Sequence, residues 1–272
     1  MSGTMNFSPT ETGTIIMQEK KESLVLSDDF IQCWHDAGRH LQQQIEGGPA
    51  WIRAHLDQPI MEHLSFRLGN QLFFIRIEDA EGQLKTPGSE EALIKIAEKC
   101  NGHACIMPMR FSFGHWIPVE KGWGLLSQKD RTPVNPPDLV TDEKIEMTDW
   151  ELHDFAIQVV RQNLIQSGES VTAWNSNPEL QPSIWLGGDA GLQWVVVQAV
   201  RYPEEAKIPS NIKDIEAAYK EKGARGNFAY VSFANENQQR DTPLKEGEKP
   251  LPVYRGEKVF ISYSGLLDIN ND

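Results

Sequence analysis

The chain has 272 residues, 39% of them hydrophobic and 24% charged, enough apolar material for one large or two ordinary cores. Its net charge of −13 disfavours unaided binding of nucleic acid, which needs clustered Lys and Arg. Three cysteines, Cys33, Cys100 and Cys105, make no disulfide framework, and the apolar run Ile15-Ile16-Met17 is too short for a signal peptide or a membrane span. A cytoplasmic chain with no membrane partner is therefore expected.

Residues 1–26 read as a flexible leader. An N-terminal α+β domain follows over 27–126. Ser27 is placed to cap a helix from Asp28 to Glu46, with Asp28 and Asp29 where the helix dipole favours anions. Phe30, Trp34, Ala37, Leu41 and Ile45 recur at helical spacing as one apolar stripe, and Gly47-Gly48 stops the helix. Pro49 suits the first turn of a short helix through Leu56. His63 to Leu68 and Gln71 to Glu78 read as a hairpin around Gly69-Asn70. Phe73, Ile75 and Ile77 share one of its faces; Leu72, Phe74 and Arg76 share the other. Gly82 to Thr86 adds a short third strand. Ser89 caps a helix to Cys100 with Leu93, Ile96, Ala97 and Cys100 inside, ended by Asn101-Gly102. His103 to Met109 reads as a buried strand closed by Pro108 and Arg110. Phe111, Phe113, Trp116 and Trp123 crowd the next stretch, and their rings are read as covering the open end of a sheet rather than lining a ligand pocket.

Ser127 to Met147, with Pro133, Pro136 and Pro137 among charged residues, reads as a linker. The second domain, 148–268, opens on the capping-box pattern Thr148-Asp149-Trp150-Glu151. Its helix runs to Gln166 with Leu152, Phe155, Ala156 and Val159 inward and Gly168 as the stop. Ser170 to Trp174 is a strand. Gln181 to Pro203 is a hairpin whose two β-branched and aromatic runs flank Gly187-Gly188-Asp189-Ala190-Gly191. The second run, Leu192 to Tyr202, reads as a central strand buried on both faces. Pro209 and Ser210 open a helix to Lys222 with Ile212, Ile215 and Tyr219 on one stripe. Asn227 to Ala234 is a strand, Asn235 to Pro250 an exposed loop, and Val253 to Tyr263 one or two last strands. The expected fold class is α+β: two α/β halves, the second an αβββαβ core with a mixed sheet.

The element order over Thr148 to Ala234, together with the hairpin at its centre, resembles the core of the PD-(D/E)xK superfamily, the restriction-endonuclease-like fold. The resemblance implies a site in which an Asp follows a Pro at the start of the second strand. A Glu and a Lys sit two apart on the third strand, a Glu of the first helix often joins them, and the carboxylates hold Mg²⁺. Laid on this chain, the family's Asp falls on Ser183 after Pro182, its Glu on Gln198, its Lys on Val200, and the helix Glu on Glu151. Ser183 and Gln198 offer an oxygen without negative charge, and Val200 neither polarises water nor pairs with phosphate. Arg201 leaves the face that Gln198 and Val200 share, because successive strand residues point to opposite sides. If hydrolysis survives, its candidates are Glu151, Asp189 and Arg201 with Mg²⁺. Against that, Glu151 is the capping-box partner of Thr148 and Asp189 sits in a tight turn. The first half repeats the element order, which also fits the α+β unit of small acidic secretion chaperones.

Cys100, His103, Cys105 and His115 lie close in sequence, but Cys100 and Cys105 fall on apolar positions, so packing is expected there rather than zinc. Cys33 near His35 and His40 lacks a nucleophile motif. Lys207, Lys213, Lys220, Lys222 and Arg225, interrupted by Glu216 and Glu221, read as a solvated mixed face. The function expected is a non-catalytic binding or regulatory protein on a nuclease-like scaffold. It has no cofactor and engages a protein partner or its own copy. The rivals are a metal-dependent nuclease with a rearranged site near Glu151, Asp189 and Gln198, and a secretion-chaperone-like or immunity-like module that caps one client.

Overall fold

A computed structural model describes residues 27–53, 63–188, 191–220, 224–238, 244 and 247–269, and the backbone of two short strands in the leader, β1 (Asn6–Pro9) and β2 (Ile15–Gln18), which pair antiparallel. The chain divides into two compact units, one of Leu24–Ile145 and one of Glu146–Asp272 with Met1–Ser23. Both mix helices and strands.

In the first unit α1 (Asp28–Gln42) is capped by Ser27, whose hydroxyl accepts the Phe30 N–H at 3.2 Å. It ends earlier than its apolar spacing predicts: Gln43 is the C-cap and Ile45 is exposed rather than part of the stripe. The helix expected after Pro49 is a strand, β3 (Ala50–Arg53), because its residues find a partner in β4 (Leu64–Leu68); residues 54–62 lie outside the described part. β4 and β5 (Gln71–Asp79) form the expected hairpin, with Gly69 at φ +56° in the turn. No third strand follows. The Asp79 carboxylate takes the N–H groups of Glu81, Gln83 and Leu84 at 2.7–2.9 Å, so these donors are used in a loop instead of a ladder.

α2 (Glu90–Lys99) is capped by Ser89, and Leu93, Ala97 and the C-cap Cys100 are buried. β6 (His103–Ser112) runs parallel to β5 and continues past Pro108. It does so because β7 (His115–Pro118) pairs with its outer end. The aromatic stretch divides. Trp116 and Trp123 are buried, Trp123 stacked on Phe66, whereas Phe111 is half exposed and Phe113, at φ +51° in the tip of the β6–β7 hairpin, is fully exposed.

The segment read as a linker begins on the last residue of β8 (Leu125–Ser127) and carries β9 (Pro133–Val134) and α3 (Pro136–Leu139). It is tied down because Asn70, in the hairpin turn, donates to Thr141 Oγ1 at 2.9 Å and to the Glu143 carbonyl at 2.7 Å. The sheet order is β3-β4-β5-β6-β8-β9.

In the second unit α4 (Asp149–Gln166) begins with the full capping box between Thr148 and Glu151. Its deepest residues are Leu152, His153, Ala156, Ile157, Val160 and Leu164. Phe155 and Val159, expected on that stripe, are half buried: the helix lies across β10 (Ser170–Trp174) and two central strands, so its buried arc is broad and turned from the predicted one. β11 (Leu180–Gln181) pairs with β2. β12 (Ile184–Gly187) and β13 (Gln193–Arg201) form the antiparallel hairpin, and Asp189 in its turn lies outside the described residues. α5 (Ile212–Lys220) crosses to β14 (Arg225–Asn235), parallel to β13; β15 (Val259–Tyr263) and β16 (Leu267–Asp268) then pair antiparallel with β14.

The order β10-β12-β13-β14-β15 makes β13 central. Trp194 and Val196 pack with Phe228, Ile215 and Tyr219 under α5. On the opposite face Phe155 of α4 meets Phe233 of β14, 5.3 Å between rings. Helices therefore cover both faces of this mixed sheet. The first unit has the same plan: two antiparallel pairings, a parallel one through a helix, then another antiparallel one. Even the register shift recurs in the first strand, between Trp51 and Arg53 in one unit and between Val171 and Ala173 in the other.

Candidate functional site

The strand residues singled out by sequence have other duties. Ser183, just ahead of β12, is fully buried; its Oγ accepts the Val197 N–H and donates to Gln181 Oε1, both at 3.3 Å. Gln198 on β13 uses its Oε1 to accept the Lys207 N–H at 3.0 Å. Val200 is buried. A hard divalent cation wants a shell of oxygens that includes carboxylates. Here one hydroxyl and one amide oxygen are already bonded and the third side chain is aliphatic, so these residues do not fit Mg²⁺.

Glu151 is occupied too. Arg255 grips it with Nε on Oε1 and an Nη on Oε2, both at 2.8 Å, and the two side chains are 1% and 8% exposed. Glu151 Oε2 also takes the Thr148 N–H at 2.8 Å. One carboxylate thus closes the helix cap and anchors the segment before β15. Arg201 points to the start of α4, where it meets Asp149 and Glu146 at 3.1 Å and the Met147 carbonyl. Glu151 and Arg201 are therefore engaged separately from Gln198 and Val200. Among the described residues no three His, Cys, Asp or Glu side chains converge as a metal site.

A cleft of about 500 Å³ lies on the same sheet face as Gln198 and Val200. The register puts Gln198 beside Tyr230 and Val200 beside Ser232, and Ser232 opposite Ser262 of β15. Tyr230, Ser232 and Ser262 line the cleft, with Phe260 beside them. Tyr202, Glu204, Glu205 and Ala206 complete it from the turn after β13, which the Gln198–Lys207 bond holds against the sheet. This turn follows a cis Tyr202-Pro203 peptide bond. α5 covers the Trp194 and Val196 end of the face; past it the floor is open and the lining mixes aromatic rings, hydroxyls and carboxylates. Glu204 and Glu205 are exposed and have no side-chain partner among the described residues. Nothing in the local sequence marks them, since two acids after a proline are ordinary in an exposed turn.

The other constellations resolve into packing. Cys100 and Cys105 are buried, His103 stacks on Phe73 and meets Gln71 Oε1 at 2.9 Å, and His115 is exposed. Burial, with Asp79 and Asp36 nearby, pushes the Cys33 thiol up to about 12; burial does the same to Cys105. Neither presents a thiolate at neutral pH. Asp36, beside His35, is buried because its carboxylate takes the Trp116 N–H at 2.9 Å and Arg39 at 2.9 Å. Arg225 pairs with Asp268, and Lys222 and Glu221 lie outside the described residues. His153 lies on the buried face of α4, its Nε2 without a hydrogen-bond partner among the described residues.

Residues 150–269 match the model of a domain of unknown function, DUF8840. The match runs from the second residue of α4 through β16, so it falls within the unit that carries the cleft, without that unit's Met1–Ser23, and leaves the other unit outside. No curated protein and no solved structure matches the chain. No helix among the described residues is long and apolar enough to cross a membrane.

Proposed function

We propose that residues 148–268 are a restriction-endonuclease-like scaffold without a hydrolytic site, and that the chain is a cytoplasmic, non-catalytic binding or regulatory protein. Its occupant is a protein partner or a second copy, held at the cleft over β13, β14 and β15. The strand order, the parallel β13–β14 pair joined through α5 and the helices on both faces support the scaffold reading. The observation that carries the loss of chemistry is the Gln198–Lys207 bond. The side chain standing where the resembled hydrolases keep a metal-gripping acid spends its oxygen on closing a turn, two residues from a buried valine.

Two assays test the proposal. Purified chain is incubated with plasmid DNA and with single-stranded RNA in Mg²⁺ or Mn²⁺; no cleavage is expected. Cleavage abolished by Glu151→Gln or Arg201→Ala revives the rearranged nuclease and overturns the proposal. The chain is then isolated from its native cell, where a stoichiometric partner or a homodimer is expected. Ser232→Trp with Ser262→Trp, which fills the cleft, releases that partner. An assembly indifferent to the filled cleft overturns the assignment of the binding site.

A further inference from the structure

We propose that the cleft is a receptor for cationic side chains, and that its occupant is an extended, arginine-bearing segment of a protein partner. The inference rests on the cleft being the binding site of this unit and adds the chemistry of what it takes. The lining holds two carboxylates and not a single Lys or Arg. Both carboxylates are unpaired among the described residues, so a cation entering the cleft meets charges not already neutralised from within. The floor supplies the rings of Tyr202, Tyr230 and Phe260 and the hydroxyls of Ser232 and Ser262. Flat rings with scattered acceptors suit a planar guanidinium, which stacks and donates in its own plane, better than a compact ammonium. The net charge of −13 adds a long-range field of the same sign, which draws a basic partner towards the protein. The strand path ends at β15, so an extended segment lying along it sets alternate side chains over Phe260 and Ser262.

The consequence is an inversion of ligand charge. The hydrolases this unit resembles present cations to an anionic phosphodiester; the same sheet face here presents carboxylates, and a polyphosphate is repelled where an arginine is held.

The test uses the full chain labelled with ¹⁵N and four probes: a short Gly/Ser peptide carrying two arginines, its lysine and glutamate counterparts, and a single-stranded DNA oligonucleotide. The arginine peptide is expected to shift the amides of Tyr230, Ser232 and Ser262 and to bind several-fold more tightly than the lysine peptide. Its affinity falls about tenfold in the Glu204→Gln, Glu205→Gln double variant, the loss expected when two charge-assisted contacts become neutral. Both positions are exposed, so the variant keeps the fold, and an unchanged amide spectrum of the free protein verifies it. Three results overturn the charge assignment: no shift at these amides with the arginine peptide, equal affinity in the double variant, or preferential binding of the glutamate peptide or the oligonucleotide. The last of these, if the same amides respond, leaves the cleft standing as a binding site and removes only the cation. Cleavage of the oligonucleotide in Mg²⁺ removes both readings.

Discussion

Arg255 meets Glu151 from 104 positions further along the chain and donates to both of its carboxylate oxygens. The pair is buried and bidentate, and it locks the first turn of α4 to the segment that leads into β15. Breaking one side leaves the other charge stranded in the interior. Arg255→Ala or Glu151→Ala should each lose about 3–5 kcal/mol in urea denaturation. The double variant should lose much less than the sum, and full additivity would show that the two groups do not act as a pair.

Placing an acid at position 183 should harm this protein. Ser183 is fully buried, and its hydroxyl serves the Val197 N–H. Ser183→Ala should cost about 1–2 kcal/mol by leaving that donor short of a partner. Ser183→Asp buries an unpaired carboxylate and should cost about 3 kcal/mol or more. A Ser183→Asp variant of native stability that also binds Mg²⁺ by calorimetry would mean that a metal site is latent there.

His153 makes the second unit sensitive to acid. Burial, opposed in part by Asp154, pushes its pKa from 6.5 to about 4, and its Nε2 has no hydrogen-bond partner among the described residues. The folded chain then binds fewer protons than the unfolded one between those values. The stability this group contributes is complete above pH 6.5 and is lost as pH falls through the window, by up to about 1.4 kcal/mol per pH unit. His153→Leu should flatten the dependence of the urea midpoint on pH between 6.5 and 4. A midpoint equally steep in the variant would place the acid sensitivity elsewhere.

Gly226 opens β14 directly under a large ring. A Cβ there would overlap the Trp194 indole and the Ile269 side chain. Gly226→Ala should cost about 1–3 kcal/mol through overpacking and should change the fluorescence of a tryptophan that is fully buried in the native protein. Gly168→Ala offers a contrast, since open space surrounds that position and only its φ of +86° resists a side chain.

Helix caps and hairpins were legible because their signals are local. Ser27, Ser89 and Thr148 each accept the N–H three residues on, as their positions imply. The Gly69-Asn70 turn and the valine-rich run of β13 likewise declare themselves within a few residues. What sequence missed depends on distant partners. β3 is a strand because β4 is there to receive it, and the region after Ser127 is ordered because Asn70 reaches back to Thr141 and Glu143. Of the candidate site, the neutral residues at Gln198 and Val200 could be read directly. The guanidinium of Arg255 on Glu151 could not, because it arrives from 104 positions away, nor could the bond from Lys207 to Gln198 and the acids of the cleft rim, because they depend on how the turn after β13 folds back on the sheet beside β14 and β15.

The parallel pairs at the heart of both sheets carry a kinetic consequence. β12 and β13 are joined by a short turn, but β13 meets β14 only after the chain has travelled from Arg201 to Arg225 through a helix. β5 and β6 stand in the same relation across α2. Closing the longer loop forfeits more chain entropy before any contact compensates, so in each unit the hairpin can zip early while the crossover sets the pace of folding.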